Sequence, residues 1–290
     1  MKKTNPWIEA IRLRTLPVSA AGVVMAAAYG VIFGCAKPLP IILCLLFALL
    51  AQTASNFANE YYDFRDNLDK PGRVGPRRGV TEGDITPGAM KRAIVVTLTL
   101  AAGVGLSLIY WGGWWLIGAG ILIGMGVLAY SAGPYPLSRH ALGEVAVIIF
   151  FGIIPVNLTF YVLSGNFDIT VFCGSTAIGL MGADILLVNN YRDTDDDRSV
   201  GKITLSVKFG KQTASTLYLF FGYIAIALLV PLYLELAWYC AIAPTIFLTA
   251  HTLLWIALLK RQGAALNPLL GMTAMNMFIF TLLFLISVVI

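Results

Sequence analysis

The sequence predicts an all-α polytopic membrane protein, about nine transmembrane helices bundled around a central cavity. Three observations carry that prediction. First, 58% of the 290 residues are apolar and only 12% are charged, against about 25% charged in an ordinary soluble domain, and mean hydropathy is +0.81. Second, apolar runs recur at or near the ~20 residues a helix needs to cross a ~30 Å hydrocarbon core. Third, assigning the intervening loops alternately to two sides places 19 of the 20 Lys and Arg on one side and leaves only Lys37 on the other. By the positive-inside tendency the N-terminus is then cytoplasmic, and an odd number of spans puts the C-terminus outside. The same distribution argues against nucleic acid as the reason for the net charge of +5, because the cations mark one membrane face. A single domain, 1–290, with the lipid bilayer as partner is expected.

The first run, 15–36, follows the basic stretch MKKTNPWIEAIRLRT, which has the look of a signal peptide's start. Its apolar run is too long for one and many spans follow, so no cleavage is expected. The second run, 39–58, leads into a long polar segment, 59–92. Runs 94–111 and 114–133 are joined by little more than Gly112-Gly113, and Gly118, Gly120, Gly124 and Gly126 read as small-residue positions for close helix packing. Run 142–163 opens at Glu144, a carboxylate suited to a helix N-terminus or to a role in a site. SGNFD (164–168) separates it from 169–188, and a second polar segment occupies 189–212. Runs 214–234, 236–259 and 267–290 complete the nine, with the break near Glu235 the least marked. Cys35, Cys44, Cys173 and Cys240 are scattered singly, without metal-ligand spacing, and read as packing residues with no disulfide framework. His140 reads as a solvated loop residue or an acid–base group. His251 reads as a satisfied histidine within a span, where an ionisable group merits a functional test.

Two polar segments this long are functional or disordered, and their Gly, Pro and balanced charge favour function. They also resemble each other. Asn59-Glu60-Tyr61-Tyr62-Asp63 closes the second run and Asn189-Asn190-Tyr191-Arg192-Asp193 closes the sixth. In each, an Asn precedes an Asp by four residues, more acids follow, and then cations. Two such cassettes four spans apart suggest two halves facing each other across a cavity. On a helix, Asn190, Asp193 and Asp197 share one face, as do Asn59 and Asp63. Asp66 lies three residues beyond Asp63; Asp69 converges with it only if the helix has unwound by then, which Lys70-Pro71-Gly72 permits.

Like charges on one face repel, so something positive must offset them. Clusters of Asp and Asn oxygens without Cys or His suit a hard divalent cation, and Mg²⁺ typically bridges a few carboxylates to phosphate. Arg65, Arg73, Arg77, Arg78, Lys91, Arg198 and Lys202 fit the phosphate side of such a site. Glu82, Asp84, Asp195 and Asp196 read as solvated. Asp184, unusual for its depth in the sixth run, is a candidate partner of Arg192 or of the metal site.

These cassettes resemble the two Asp-rich motifs of the UbiA superfamily of intramembrane prenyltransferases. The likeness runs through 12-RLRTLPVSAAGVVM-25, 56-NFANEYYDFRDNLDKPGRVGPRRGVTEGDITPGAMKRA-93, 130-YSAGPYPLSRHALGEVAVIIFFG-152, 189-NNYRDTDDDRSVGKITLSVKFG-210 and 266-LNPLLGMTA-274. The D-K-P-x-R-x-G-P-x-R-G element (69–79) and N-N-x-R-D with G-K-x-T-L (189–205) are most like the branch that acts on 1,4-dihydroxy-2-naphthoate.

The resemblance implies a Mg²⁺-dependent enzyme of the cytoplasmic (inner) membrane. It would transfer a polyprenyl group from polyprenyl diphosphate to 1,4-dihydroxy-2-naphthoate, with loss of CO₂ and diphosphate, giving demethylmenaquinone. It implies Asn59, Asp63, Asp69, Asn190, Asp193 and Asp197 as metal ligands, with Asp66 an alternative to Asp69 because Asn67 stands where the common pattern has Asp. Arg73, Arg77 or Arg78, Lys202, Arg198 and Arg14 would meet the departing diphosphate, and Asp63, Asp193, Lys202 and Arg73 form the implied catalytic set. Tyr130, Tyr135, Phe150 and Phe151 are candidates for a dry lining or for plain helix packing. Glu60 and Asn190 stand where relatives often carry Asp. Alternative acceptors are hydroxybenzoate, homogentisate and haem, and phytyl transfer to the same naphthoate is a further alternative. A remoter reading, a secondary transporter for an anionic solute, is disfavoured because the charges gather at helix ends rather than at the midplane.

Overall fold

In lipid an apolar segment satisfies its backbone internally, and the helix is how a single run does so. The computed structural model, which describes residues 5–69 and 75–290, follows that rule. The helices in chain order are α1 Pro6–Ile32, α2 Pro38–Arg65, α3 Pro87–Gly112, α4 Leu116–Ala129, α5 Gly143–Ser164, α6 Ile169–Ser199, α7 Lys211–Tyr233, α8 Trp238–Lys260 and α9 Gly263–Val289. Among the described residues, eight of these are long and apolar enough to cross a membrane. Of the nine expected spans, α4 is the one that length alone does not support: its 14 residues cover roughly 21 Å at 1.5 Å per residue, short of a ~30 Å core. Gly113, with φ 82°, delays its start, and the turn after Tyr130 ends it early. It still returns the chain from Gly112, beside Val162, to Tyr130 at the polar end.

Both cassettes turn out to be helical extensions. α2 runs on to Arg65 and α6 to Ser199, past the expected ends at 58 and 188. α6 is the central pillar, with 72% of its apolar window buried. Ile178 and Met181 of α6 pack with Val18, Met25 and Tyr29 of α1 and Met277, Phe280 and Phe284 of α9 in the main core. α5 meets α6 backbone to backbone: a Cβ on Gly152 would overlap the main chain of Gly179 and Ser175. That contact falls in a π-helical turn, Ile148–Ile153. Pro155 follows it, and since proline has no N–H to donate to Phe151, the local ladder must loosen there. The small-residue reading of α4 is also corrected. Added Cβ atoms on Gly118, Gly120 and Gly124 would meet nothing within 4 Å, and only Gly126 is closely packed, against Phe150.

Three local devices set the polar end. α1 breaks at Arg12, whose φ is 55°, and α2 captures the break: Asn56 Nδ2 donates to Ile11 O at 2.8 Å, and Gln52 Nε2 to Thr15 Oγ1 at 3.1 Å. At the other end of α2, Asn67 adopts φ 57° and closes a Schellman motif, with Leu68 N bonded to Asp63 O at 2.8 Å and Asn67 N to Phe64 O at 3.1 Å. Finally, the loop after α4 is laced to the loop after α6. Ala141 N donates to Ile203 O at 2.7 Å and Ile203 N to Arg139 O at 3.2 Å.

Candidate functional site

The ends of α2 and α6 open into one polar cavity. Arg12, Gln52, Asn56, Asn59, Arg78, Tyr130, Glu144, Asn189, Asn190 and Lys202 line it, so both cassettes stand at the same end of the bundle. On the α2 side, Asn59 is the hub. Its Oδ1 accepts from Arg12 Nη2 and, at 3.4 Å, from Arg78 Nη2, while its Nδ2 donates to Asp63 Oδ2 and to Ser131 Oγ, both at 3.1 Å. Arg78 pairs with Asp69 at 3.2 Å, and both side chains are buried. Arg139 bridges the neighbouring acids, 3.5 Å from Asp63 and 2.6 Å from Asp66. On the α6 side, Asn190 Nδ2 donates to Glu144 Oε1 at 2.7 Å and Lys202 lies 3.6 Å from Asp197. Arg192, wholly buried, reaches Asp193 at 2.6 and 2.7 Å and also donates to Asn189 and Asn267.

The helical face expected of α6 is the one observed: Asn190, Asp193 and Asp197 are buried while Asp195 and Asp196 are exposed. The unwinding that Asp69 needs occurs at Asn67, and it leaves Asp69 on Arg78 and Asp66 on Arg65 and Arg139. The hydrogen bond from Arg65 above all, with Arg139 assisting against partial burial, holds the Asp66 carboxyl below the usual carboxylate range. The stabilising pair therefore persists above that range and is lost as pH falls through the lowered value.

Several expected residues sit elsewhere. Arg14 is exposed, and the cation that enters the cavity is Arg12, turned inward by the helix break. Arg77 pairs with Asp84 and lies 3.6 Å from Glu9, outside the cavity lining. The Arg198 side chain is 60% exposed beside Asp195. Arg65 and Lys91 are exposed as well. Tyr135 is exposed and stacks on His140, whose Nδ1 lies 2.8 Å from Pro136 O. Asp184 is not beside Arg192; it lies 3.8 Å from His251, whose Nε2 faces the carbonyls of Tyr218 and Leu219. Glu60 serves the fold, accepting from Val80 N at 3.0 Å. Arg73 lies outside the described residues.

The sequence alone does not mark Arg12 and Arg139 as site residues. The signal for Arg12 was the polar stripe Gln52, Asn56 and Asn59 on an apolar helix, spaced to satisfy a broken neighbour; Arg139 had no local signal.

Among the described residues, no three Asp, Glu, His or Cys side chains form a ready-made metal cluster. Asp63, Asp66, Asp69, Asp193 and Asp197 each face a cation instead. The donors remaining are hard oxygens from Asn and Asp, and the buried Asp63 Oδ1 accepts no hydrogen bond. That chemistry fits Mg²⁺ bridged to a phosphate rather than a soft metal.

A second chamber adjoins the first. It is apolar, lined by Phe47, Leu108, Ile123, Gly126, Phe150 and Leu158 among others. Gln52, Ser55, Tyr130, Val147 and Phe151 line both, so the two spaces meet at that neck. A cation-lined pocket opening into an apolar channel suits an amphiphile with an anionic head and a long hydrocarbon tail.

Comparison with known proteins agrees with that shape. The profile of the UbiA prenyltransferase family matches residues 15–282. The 1,4-dihydroxy-2-naphthoate octaprenyltransferase of Escherichia coli (strain K12) is 36% identical over 220 residues, covering 74% of this chain and 71% of that protein. The protein of the same name from Mycobacterium leprae (strain TN) is 29% identical over 276 residues, 95% of this chain and 93% of its own. Among solved structures, the apo UbiA homolog from Aeropyrum pernix K1 superposes with a TM-score of 0.72 at 15% identity, over 98% of this chain and 99% of that one. The UbiA homolog from Archaeoglobus fulgidus bound to DMAPP and Mg²⁺ superposes at 0.66 and 16% identity, over 97% and 99%. At such identities these two speak for the fold.

Proposed function

The chain belongs to the UbiA prenyltransferase family, and from that premise we propose that it transfers a polyprenyl group from polyprenyl diphosphate to 1,4-dihydroxy-2-naphthoate, releasing CO₂ and diphosphate and giving demethylmenaquinone in its reduced, quinol form. The observation that carries this reading is the neck at Tyr130, Val147 and Phe151, which joins a cationic cavity to an apolar channel. Likeness to five curated naphthoate octaprenyltransferases supports the acceptor.

The chain's own groups divide the work. Arg12, Arg78 and Lys202 line the cavity where the diphosphate would lie. As the allylic C–O bond breaks, its electron pair leaves with the diphosphate, and these fixed cations meet the developing charge. Mg²⁺, for which Asn59, Asp63, Asp69, Asn190, Asp193 and Asp197 offer oxygens, would supply further neutralisation of the diphosphate. Tyr130 and Phe151 line the neck between the two chambers, where they would exclude water that could quench a carbocation. The ring carbon then forms the new C–C bond, and the pair left by departing CO₂ restores the aromatic ring. The polar end is assigned to the cytoplasmic side of the inner membrane, where it would meet both soluble acceptor and released diphosphate.

The test is product formation by the purified enzyme with octaprenyl diphosphate, Mg²⁺ and a panel of aromatic acceptors. Selective prenylation of 1,4-dihydroxy-2-naphthoate is expected; preference for hydroxybenzoate or homogentisate would reassign the acceptor.

A further inference from the structure

We propose that Gly126 and Phe150 form the gauge that sets how long a prenyl tail the apolar channel admits, an inference that rests on the reading above. Both residues line the channel. Tyr130, the residue that caps α4 one turn beyond Gly126, and Val147, three residues before Phe150 on α5, line the neck as well as the channel. A tail entering from the diphosphate site therefore passes the neck first and the Gly126–Phe150 pair next.

Two features hold the pair in place. The Phe150 ring occupies the space that a Cβ on residue 126 would need, so any side chain there displaces the ring. The empty volume beside the ring is the channel itself, and a displaced ring narrows it. Phe150 also sits in the π-helical turn Ile148–Ile153, pinned behind by the contact of Gly152 with Gly179 and Ser175, so its backbone has no freedom to retreat. The bore at this point thus depends on a missing methyl group. Gly118 and Gly124 on the same helix would accept one with nothing within 4 Å.

The experiment measures kcat/KM for dimethylallyl, geranylgeranyl and octaprenyl diphosphates with 1,4-dihydroxy-2-naphthoate. Gly126→Ala is expected to lose about tenfold or more on octaprenyl relative to dimethylallyl diphosphate, the scale of discrimination one methyl group brings in an apolar pocket. Gly118→Ala controls for helix stiffening and keeps the wild-type length profile. Phe150→Leu in the Gly126→Ala background is expected to restore the long donor, and Phe150→Ala alone shifts preference toward it without relying on the glycine variant's folding. An unchanged length profile in Gly126→Ala, an equal loss on every donor, or no restoration in the double variant overturns the gauge. Wild-type enzyme that transfers none of the three donors to any aromatic acceptor defeats the underlying reading instead, so the two failures are distinct.

Discussion

At the scale of single residues the candidate site is a set of carboxylates each held by a cation: Asp63 by Arg139, Asp69 by Arg78, Asp193 by Arg192 and Asp197 by Lys202. A buried carboxylate without such a partner is costly, and a divalent ion arriving with a diphosphate would share or replace these contacts. Asp63→Ala and Asp193→Ala are therefore expected to lower prenyl transfer by about a hundredfold or more, the scale of removing one transition-state electrostatic contact. Full turnover in either variant would remove that residue from the proposed set. Arg12 and Arg14 make a sharper comparison, since only Arg12 faces the cavity. Arg12→Ala is expected to cost about a hundredfold in kcat/KM for the diphosphate donor, while Arg14→Ala leaves it near the wild-type value. Equal losses would mean that the helix break does not select between them.

At the scale of elements, helix ends decide what reaches the cavity. The Schellman turn at Asn67 frees the chain from α2, so that Asp69 meets Arg78. A β-branched residue resists a left-handed backbone, so Asn67→Val is expected to cost about 1–2 kcal/mol while Asn67→Gly is tolerated. Thermal unfolding of the detergent-solubilised protein measures the difference, and identical midpoints would show that the turn contributes nothing. α7 and α8 depend on another close fit, because a Cβ on Gly222 would overlap the His251 ring, which stacks on Tyr218. Gly222→Ala is expected to destabilise by roughly 1–3 kcal/mol through overpacking, read by the same unfolding measurement.

At the scale of the whole molecule the two cassettes share one end of the bundle, and the apolar channel would keep the proposed donor's tail out of water at ~0.8 kcal/mol per buried CH₂. Glu82 and Asp196 are exposed in the two polar segments. With the native cysteines replaced, Glu82→Cys and Asp196→Cys are expected to react with an impermeant thiol reagent from the same membrane side, the inner one. Labelling of the pair from opposite sides would break the shared site. Chelation should abolish transfer and added Mg²⁺ restore it, and chelator-insensitive activity would remove the proposed metal role.

What the sequence by itself determined is what short-range pattern encodes. Apolar run length declares spans, the distribution of Lys and Arg declares a polar face, and three-and-four spacing groups Asn190, Asp193 and Asp197 on one buried side. The family likeness was equally legible, because both cassettes are continuous in the chain. Only tertiary structure decided which of Arg12 and Arg14 points inward, that Arg139 clamps two acids of a distant helix, that Asp184 lies beside His251 and not Arg192, and that Gly126 alone among the α4 glycines is tightly packed. The reason is physical. A helix break, a laced pair of loops and a ring resting where a methyl group would go are settled by contacts between segments far apart in the chain, and no local periodicity records them.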